Sequence, residues 1–292
     1  MRIVLFGKNG QLGWEFQRIL PILGEVIALG RHEVDVSNLR NVKETLDELK
    51  PKLIINTSAY TEVDRAETEM ELAMKINALA PGLMADTARK NGAVFIHYST
   101  DYVFDGTSDI PYTELDPTNP LNIYGQSKLM GEENIKQAGE ACLILRTSWV
   151  YSLRGNSFVN KVLGWARKNE TLQIVRDQIS CPTWARMLAG ITSLMLAQNN
   201  ADLLEIIRER RGVYHVAGSG FTSRYEWAKQ ILANDPNLSE QVVRSLEPAL
   251  SKDFPTPATR PLFSALDCTH FQKTFGLQLP AWDSALKLAM TQ

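Results

Sequence analysis

The chain has 292 residues, enough for one large or two moderate domains, and its 31 basic and 33 acidic residues leave a formal net charge of −2. That balance excludes a broad nucleic-acid or anionic-membrane surface and points to a small partner held in a local pocket. Cys142, Cys181 and Cys268 are too scattered for a disulfide framework or a zinc cluster, MRIVLFGKNG lacks the long apolar core of a signal peptide, and no apolar run reaches the roughly 18–20 residues that cross a bilayer, so a cytoplasmic protein is expected.

From the N-terminus, short runs of branched apolar residues alternate with stretches of helical period, which predicts an α/β fold with a doubly wound parallel sheet. RIVLF (2–6), EVIAL (25–29), KLIIN (52–56), AVFIHY (93–98) and ACLILR (141–146) read as buried strands, with helices over 11–20, 38–49, 70–90 and 122–137. After Tyr151 the rhythm weakens. Segments 157–169 and 184–198 read as helices, GVYHVA from Gly212 as a late strand, and the proline-broken 245–261 as loop. The expected division is a first domain over 1–150, rejoined by about 184–218, and a smaller α/β domain made from 151–183 and 219–292.

Directly after the first strand, GKNGQLG places Gly7, Gly10 and Gly13 at three-residue intervals, with Gln11 and Leu12 opening the helix. A strand, a glycine turn and a helix N-terminus make a dinucleotide site, because absent side chains let a pyrophosphate approach the first-turn N–H groups. At the end of the second strand, Gly30 and Arg31 stand where an acid would select NAD, so a 2′-phosphate and NADPH are favoured, with NADH also open. Ser58, Ala59, Tyr60 and Thr61 follow the third strand, where the crevice of an open α/β sheet lies.

The fourth strand ends in HYSTDYVFDG, and YGQSK follows about two dozen residues later, with Tyr124 and Lys128 on one helical face. With GxxGxxG, this order resembles the extended short-chain dehydrogenases/reductases. The resemblance implies a Rossmann-type sheet and a catalytic set of Thr100, Tyr124 and Lys128. In that set Lys128 sits beside the phenol, lowers its pKa and holds the nicotinamide ribose, while Tyr124 gives its proton to a ketone that receives hydride. It also implies that Asp35 and Val36 meet the adenine and that Asn77, near the lysine, lies beside the cofactor.

The stretches HYSTDYVFDG, NPLNIYGQSKLMGE, LRTSWVY, DQISCPTWA and ATRPLFSALDCTHF further resemble the dTDP-4-dehydrorhamnose reductase family over nearly the whole length. That family implies NADPH reduction of the 4-keto group of dTDP-4-dehydro-L-rhamnose, with the nucleotide-sugar between the two domains. Thr100, Asp101, Tyr102, Tyr124, Trp149 and Arg260 are then the substrate contacts, with domain packing an equal alternative for Arg260. Some members bind Mg²⁺ at a dimer interface through a glutamate cluster; here Arg186 replaces one acid and Glu15 stands alone, so no magnesium is expected and either monomer or homodimer is open. Two alternatives share the pattern: another nucleotide-sugar 4-ketoreductase, and a non-catalytic subunit resembling that of methionine adenosyltransferase. The intact Thr100, Tyr124 and Lys128 argue against the second.

Overall fold

The computed structural model describes residues 1–199 and 202–291. Its first half runs β1 (Arg2–Phe6), α1 (Gln11–Ile19), β2 (Glu25–Leu29), α2 (Leu39–Leu49), β3 (Leu53–Asn56), α3 (Val63–Ala66), α4 (Met70–Met74), α5 (Ala80–Asn91), β4 (Val94–Thr100), α6 (Ile123–Ala138) and β5 (Cys142–Thr147). Then come β6 (Val150–Tyr151), α7 (Phe158–Ala166), β7 (Thr171–Val175), β8 (Ile179–Ser180), β9 (Thr183–Trp184), α8 (Ala185–Gln198), α9 (Leu203–Glu209) and β10 (Gly212–His215). The last elements are β11 (Thr222–Ser223), α10 (Arg224–Ala233), β12 (Ser245–Ala249), α11 (Thr269–Phe275) and α12 (Trp282–Met290).

Six parallel strands form the central sheet in the order β10-β5-β4-β3-β1-β2. Every residue of β3, β4 and β5 is buried, which is why these strands read as unbroken runs and not as alternating ones. Leu12 and Phe16 of α1, Leu188 and Met195 of α8, Ile207 of α9 and Phe271 of α11 cover one face. Val42, Met84, Ala85 and Ile135, from α2, α5 and α6, cover the other. A second core joins Tyr151, Val159, Leu172, Trp227 and Leu286, from β6, α7, β7, α10 and α12.

Two local differences from the sequence reading have physical causes. The helix expected over 70–90 is interrupted by a π-helical turn, Lys75–Leu79, between α4 and α5. The 245–261 stretch holds a strand, because β12 pairs only with β7 and an edge strand tolerates Pro248, whose missing N–H costs no ladder bond on its open side.

Candidate active site

At the C-terminal edge of the sheet lies a cavity of about 1150 Å³. Its floor is the point where β1 and β3 lie side by side and the chain order reverses, the usual ligand crevice of such sheets. Gly7 takes φ +87°, a conformation that disfavours a side chain, and Gly10 caps α1 with its N–H on Gly7 O at 3.0 Å. Gly7, Gly10, Gln11 and Leu12 line the cavity. Gly13 does not; a Cβ there would strike Gly7 O, so this glycine permits the helix to pack on the turn and makes no cavity wall.

Ser58, Ala59 and Tyr60 line the adjoining wall. Asn77 lies outside it, a correction to its expected place beside the cofactor. The residue sits fully buried in the π-turn, where its Oδ1 accepts from Tyr60 N–H at 2.9 Å and its Nδ2 donates to Tyr60 O at 3.1 Å and Ser127 Oγ at 2.9 Å. All its capacity is spent fastening the β3 loop to α6.

Arg31, Asp35 and Val36 border the far end. The Arg31 guanidinium is exposed and paired with Asp35 at 3.4 Å. An acid does stand at this strand end: Glu33 accepts from Gly30 N–H at 2.9 Å and pairs with Lys8 at 2.6 Å. The Lys8 hydrogen bond and the Gly30 N–H hold the Glu33 carboxyl below its ordinary range.

Thr100, Tyr124 and Lys128 meet on the cavity wall. The Asn122 side chain caps α6 by accepting from Gly125 N–H at 2.8 Å, which sets Tyr124 in the first turn, edge-on to the Tyr102 ring at 5.7 Å. Thr100 Oγ1 accepts from Tyr102 N–H at 3.2 Å and donates to Asp101 at 3.1 Å. Burial pushes the Tyr124 phenol above its usual range, and Thr100 pulls it back part-way. Burial also pushes Lys128 down to about 8, against a smaller opposing pull from Glu132. The expected contact of ammonium and phenol is corrected: Lys128 Nζ turns to β4, donating to Tyr98 O at 2.6 Å and lying 3.0 Å from His97 Nε2.

At the opposite end Trp149, with φ +41°, stacks on Trp227 at 5.4 Å. Arg260 borders the cavity, but its guanidinium grips Asp64 at 2.6 and 2.9 Å and its own loop at Ala258 O. Asp101 is also tied up: Ser148, Ser180 and Ser264 donate to Oδ2 at 3.1, 3.0 and 2.6 Å. That carboxyl, raised by burial, clasps the sheet edge to later segments. Tyr102 stands behind Tyr124 and does not line the cavity.

Sequence reading missed Arg224, whose guanidinium lies 3.8 Å from the Trp149 ring and 4.7 Å from that of Phe158. Among the described residues it has no carboxylate partner, and burial pushes it down to about 10. The available signal was its place at the first position of a helix capped by Ser223, where the helix dipole disfavours a cation. Arg224 and Phe158 also border a second cavity of about 430 Å³, with Trp165, Gln173, Gln178 and Phe254. Gln11 and Thr147 line the main cavity, and their Oε1 and Oγ1 atoms are buried without a hydrogen-bond partner among the described residues.

Residues 1–292 match the family model described as RmlD substrate binding domain. The dTDP-4-dehydrorhamnose reductase of Salmonella typhimurium is 40% identical over 299 residues, covering 100% of this chain and 98% of that protein. The chain belongs to the dTDP-4-dehydrorhamnose reductase family. A crystal structure of a family member from Clostridium acetobutylicum superposes with a TM-score of 0.91 at 34% identity, covering 100% of this chain and 99% of that one. The Bacillus anthracis member, solved in complex with NADP, gives 0.88 at 32% identity over 99% and 98% of the two chains. Glu15, which the family resemblance placed at a shared magnesium site, here accepts from Arg186 Nε at 3.2 Å.

Proposed function

We propose that the protein reduces the 4-keto group of dTDP-4-dehydro-L-rhamnose to give dTDP-L-rhamnose, using NADPH and accepting NADH. The observation that carries this is a single cavity joining the glycine turn of α1 to the Thr100, Tyr124 and Lys128 wall and to the Arg224 guanidinium, which has no carboxylate partner among the described residues. The open turn at Gly7 and Gly10 and the α1 N-terminus fit a dinucleotide, with Ser58 to Tyr60, Asp35 and Val36 along its length. When bound, the reduced nicotinamide supplies the hydride.

The residues supply the rest. Tyr124 and Thr100, whose hydroxyl turns from Asp101 to do so, hydrogen-bond the ketone oxygen and polarise it, and Tyr124 gives its proton to the oxygen as charge develops there. A phenol raised by burial stays protonated at neutral pH, the form this direction consumes. Lys128 holds the ribose side of the site. Arg224 and Trp149 receive the diphosphate and sugar, and the aromatic and glutamine side chains of the second cavity receive the base. In this reading residues 1–150 with about 184–218 carry the dinucleotide and 151–183 with 219–292 carry the nucleotide-sugar, except that α11 packs on the central sheet through Phe271 and Phe275, and work in the cytoplasm suits the three free thiols.

The test is incubation with NADPH and enzymatically generated dTDP-4-dehydro-L-rhamnose, followed by identification of the sugar. Tyr124→Phe should fold and bind dinucleotide yet lose about 10²- to 10⁴-fold in turnover. A product differing at C4, or near-normal turnover in the phenylalanine variant, would overturn the assignment.

A further inference from the structure

Behind the reacting wall runs a buried row of three polar side chains, Lys128, His97 and Asn56, each at most 2% exposed. Ser58 N–H donates to Asn56 Oδ1 at 3.0 Å, and Ser58 Oγ donates to the same oxygen at 2.5 Å, which fixes the orientation of the amide. Asn56 Nδ2 therefore faces His97 Nδ1, 3.1 Å away, with its N–H. Burial holds the imidazole far below its usual pKa, so it is neutral and carries one proton. Since Nδ1 must accept from Asn56, that proton is on Nε2, which points at Lys128 Nζ from 3.0 Å. An ammonium offers only donors; an amine offers one lone pair.

We propose that Asn56 and His97 are positioning residues that fix the His97 proton on Nε2 and thereby favour the neutral amine of Lys128 over its ammonium in the free protein. The amine satisfies every partner: its lone pair accepts from His97, one N–H donates to Tyr98 O, and the other faces the cavity. Protonating it would set N–H against N–H, either at Nζ or, after a tautomer change, between His97 Nδ1 and Asn56 Nδ2.

The other charged groups around Lys128 are already committed. Glu132, one turn on, accepts from Arg146 of β5 at 2.7 and 2.9 Å and from Ser99 of β4 at 2.5 Å, and Asp101 is held by its hydroxyls. Tyr124, one turn back, keeps its proton. Burial acts on Lys128 in the same sense. The role in turnover rests on the function proposed above; the protonation state does not.

The experiment is nitrogen-15 NMR of the full chain labelled at histidine and lysine, with His97 assigned by difference against His97→Gln. We expect Nε2 to appear as the N–H nitrogen and Nδ1 as the bare acceptor at pH 9, above the value of about 8 to which burial pushes Lys128. Asn56→Asp keeps one oxygen on Ser58 N–H and offers the other to Nδ1–H, so it should move the proton to Nδ1. Nε2 then accepts from an ammonium, and Lys128 should titrate about one pH unit or more higher, carrying the corresponding limb of the ketone-reduction profile with it. A proton on Nδ1 in the unmodified chain, or identical Lys128 titration in both chains, would overturn the proposal. If the aspartate variant does not fold, the tautomer of the unmodified chain decides alone. Failure to reduce the sugar nucleotide would instead count against the proposed activity and leave the tautomer result standing.

Discussion

On the function proposed above, three side chains at the end of β2 are the candidates for setting cofactor choice. Glu33 is anchored by Gly30 N–H and Lys8, and a carboxylate in this place accepts ribose hydroxyls but repels a 2′-phosphate. Arg31 attracts that phosphate only by leaving Asp35, and an exposed pair of this kind costs little to open. We therefore expect a modest NADPH preference, below the ten- to hundredfold that an unopposed arginine–phosphate contact would give. Glu33→Gln should raise the ratio of kcat/KM for NADPH over NADH by about tenfold, since it removes the repulsion and frees Lys8, and Arg31→Ala should lower it. No change in either variant would place selection elsewhere. Lys128, pushed down to about 8, adds a pH expectation: turnover should show an inflection at or below pH 8 that disappears in Lys128→Met, while no limb from Tyr124 enters below pH 10.

At the scale of elements, what the sequence revealed followed the strength of its periodic signals. The five strands of the first half and α1, α2, α6, α7 and α8 lie within a few residues of their expected bounds, because apolar runs and three-to-four spacing report burial directly. Two-residue strands such as β8 and β11 carry no period and exist because of what packs on them. The same divide holds in the site: the glycine turn and the YxxxK pair were legible because local spacing fixes them. The partners of Arg260 and Asp101 were not, since Asp64 and Ser264 are 196 and 163 residues away. Asn77 illustrates how an element replaces an expected ligand role with a structural one. Asn77→Ala would strand buried polar groups of Tyr60 and Ser127, so we expect a loss of about 1–3 kcal/mol in urea denaturation and a raised KM for dinucleotide with kcat less affected. Unchanged stability would show that water replaces the amide.

Across the molecule, two fully buried histidines make stability a function of pH. His215 donates through Nδ1 to Tyr112 O at 3.0 Å, lies 3.5 Å from Arg146 Nη1, and is pushed by burial and that arginine down to about 3; His97 is also held far below its ordinary value. An unfolded chain protonates both near pH 6.5, whereas the fold takes up neither proton until far lower, so the unfolded state binds more protons in between. Their contribution is complete above pH 6.5 and is lost as the pH falls from there toward 3, at up to about 1.4 kcal/mol per pH unit for each histidine. Asp105, held down at about 2 by Thr107 and Asn119, adds loss below its ordinary 3.8. Asp101 and Glu114, raised by burial, act in the opposite sense and blunt the acid end. The histidine share is separable by His215→Asn, whose amide N–H can take the place of Nδ1–H toward Tyr112. At pH 7.5 this variant should be less stable, having lost a ring that packs edge-on to Phe104 at 5.7 Å. Between pH 6.5 and 4, however, its stability should fall less steeply than that of the unmodified chain by about 1.4 kcal/mol per unit in urea titrations at successive pH. Parallel curves for the two chains would mean that His215 is protonated inside the fold and that its environment does not exclude the charge.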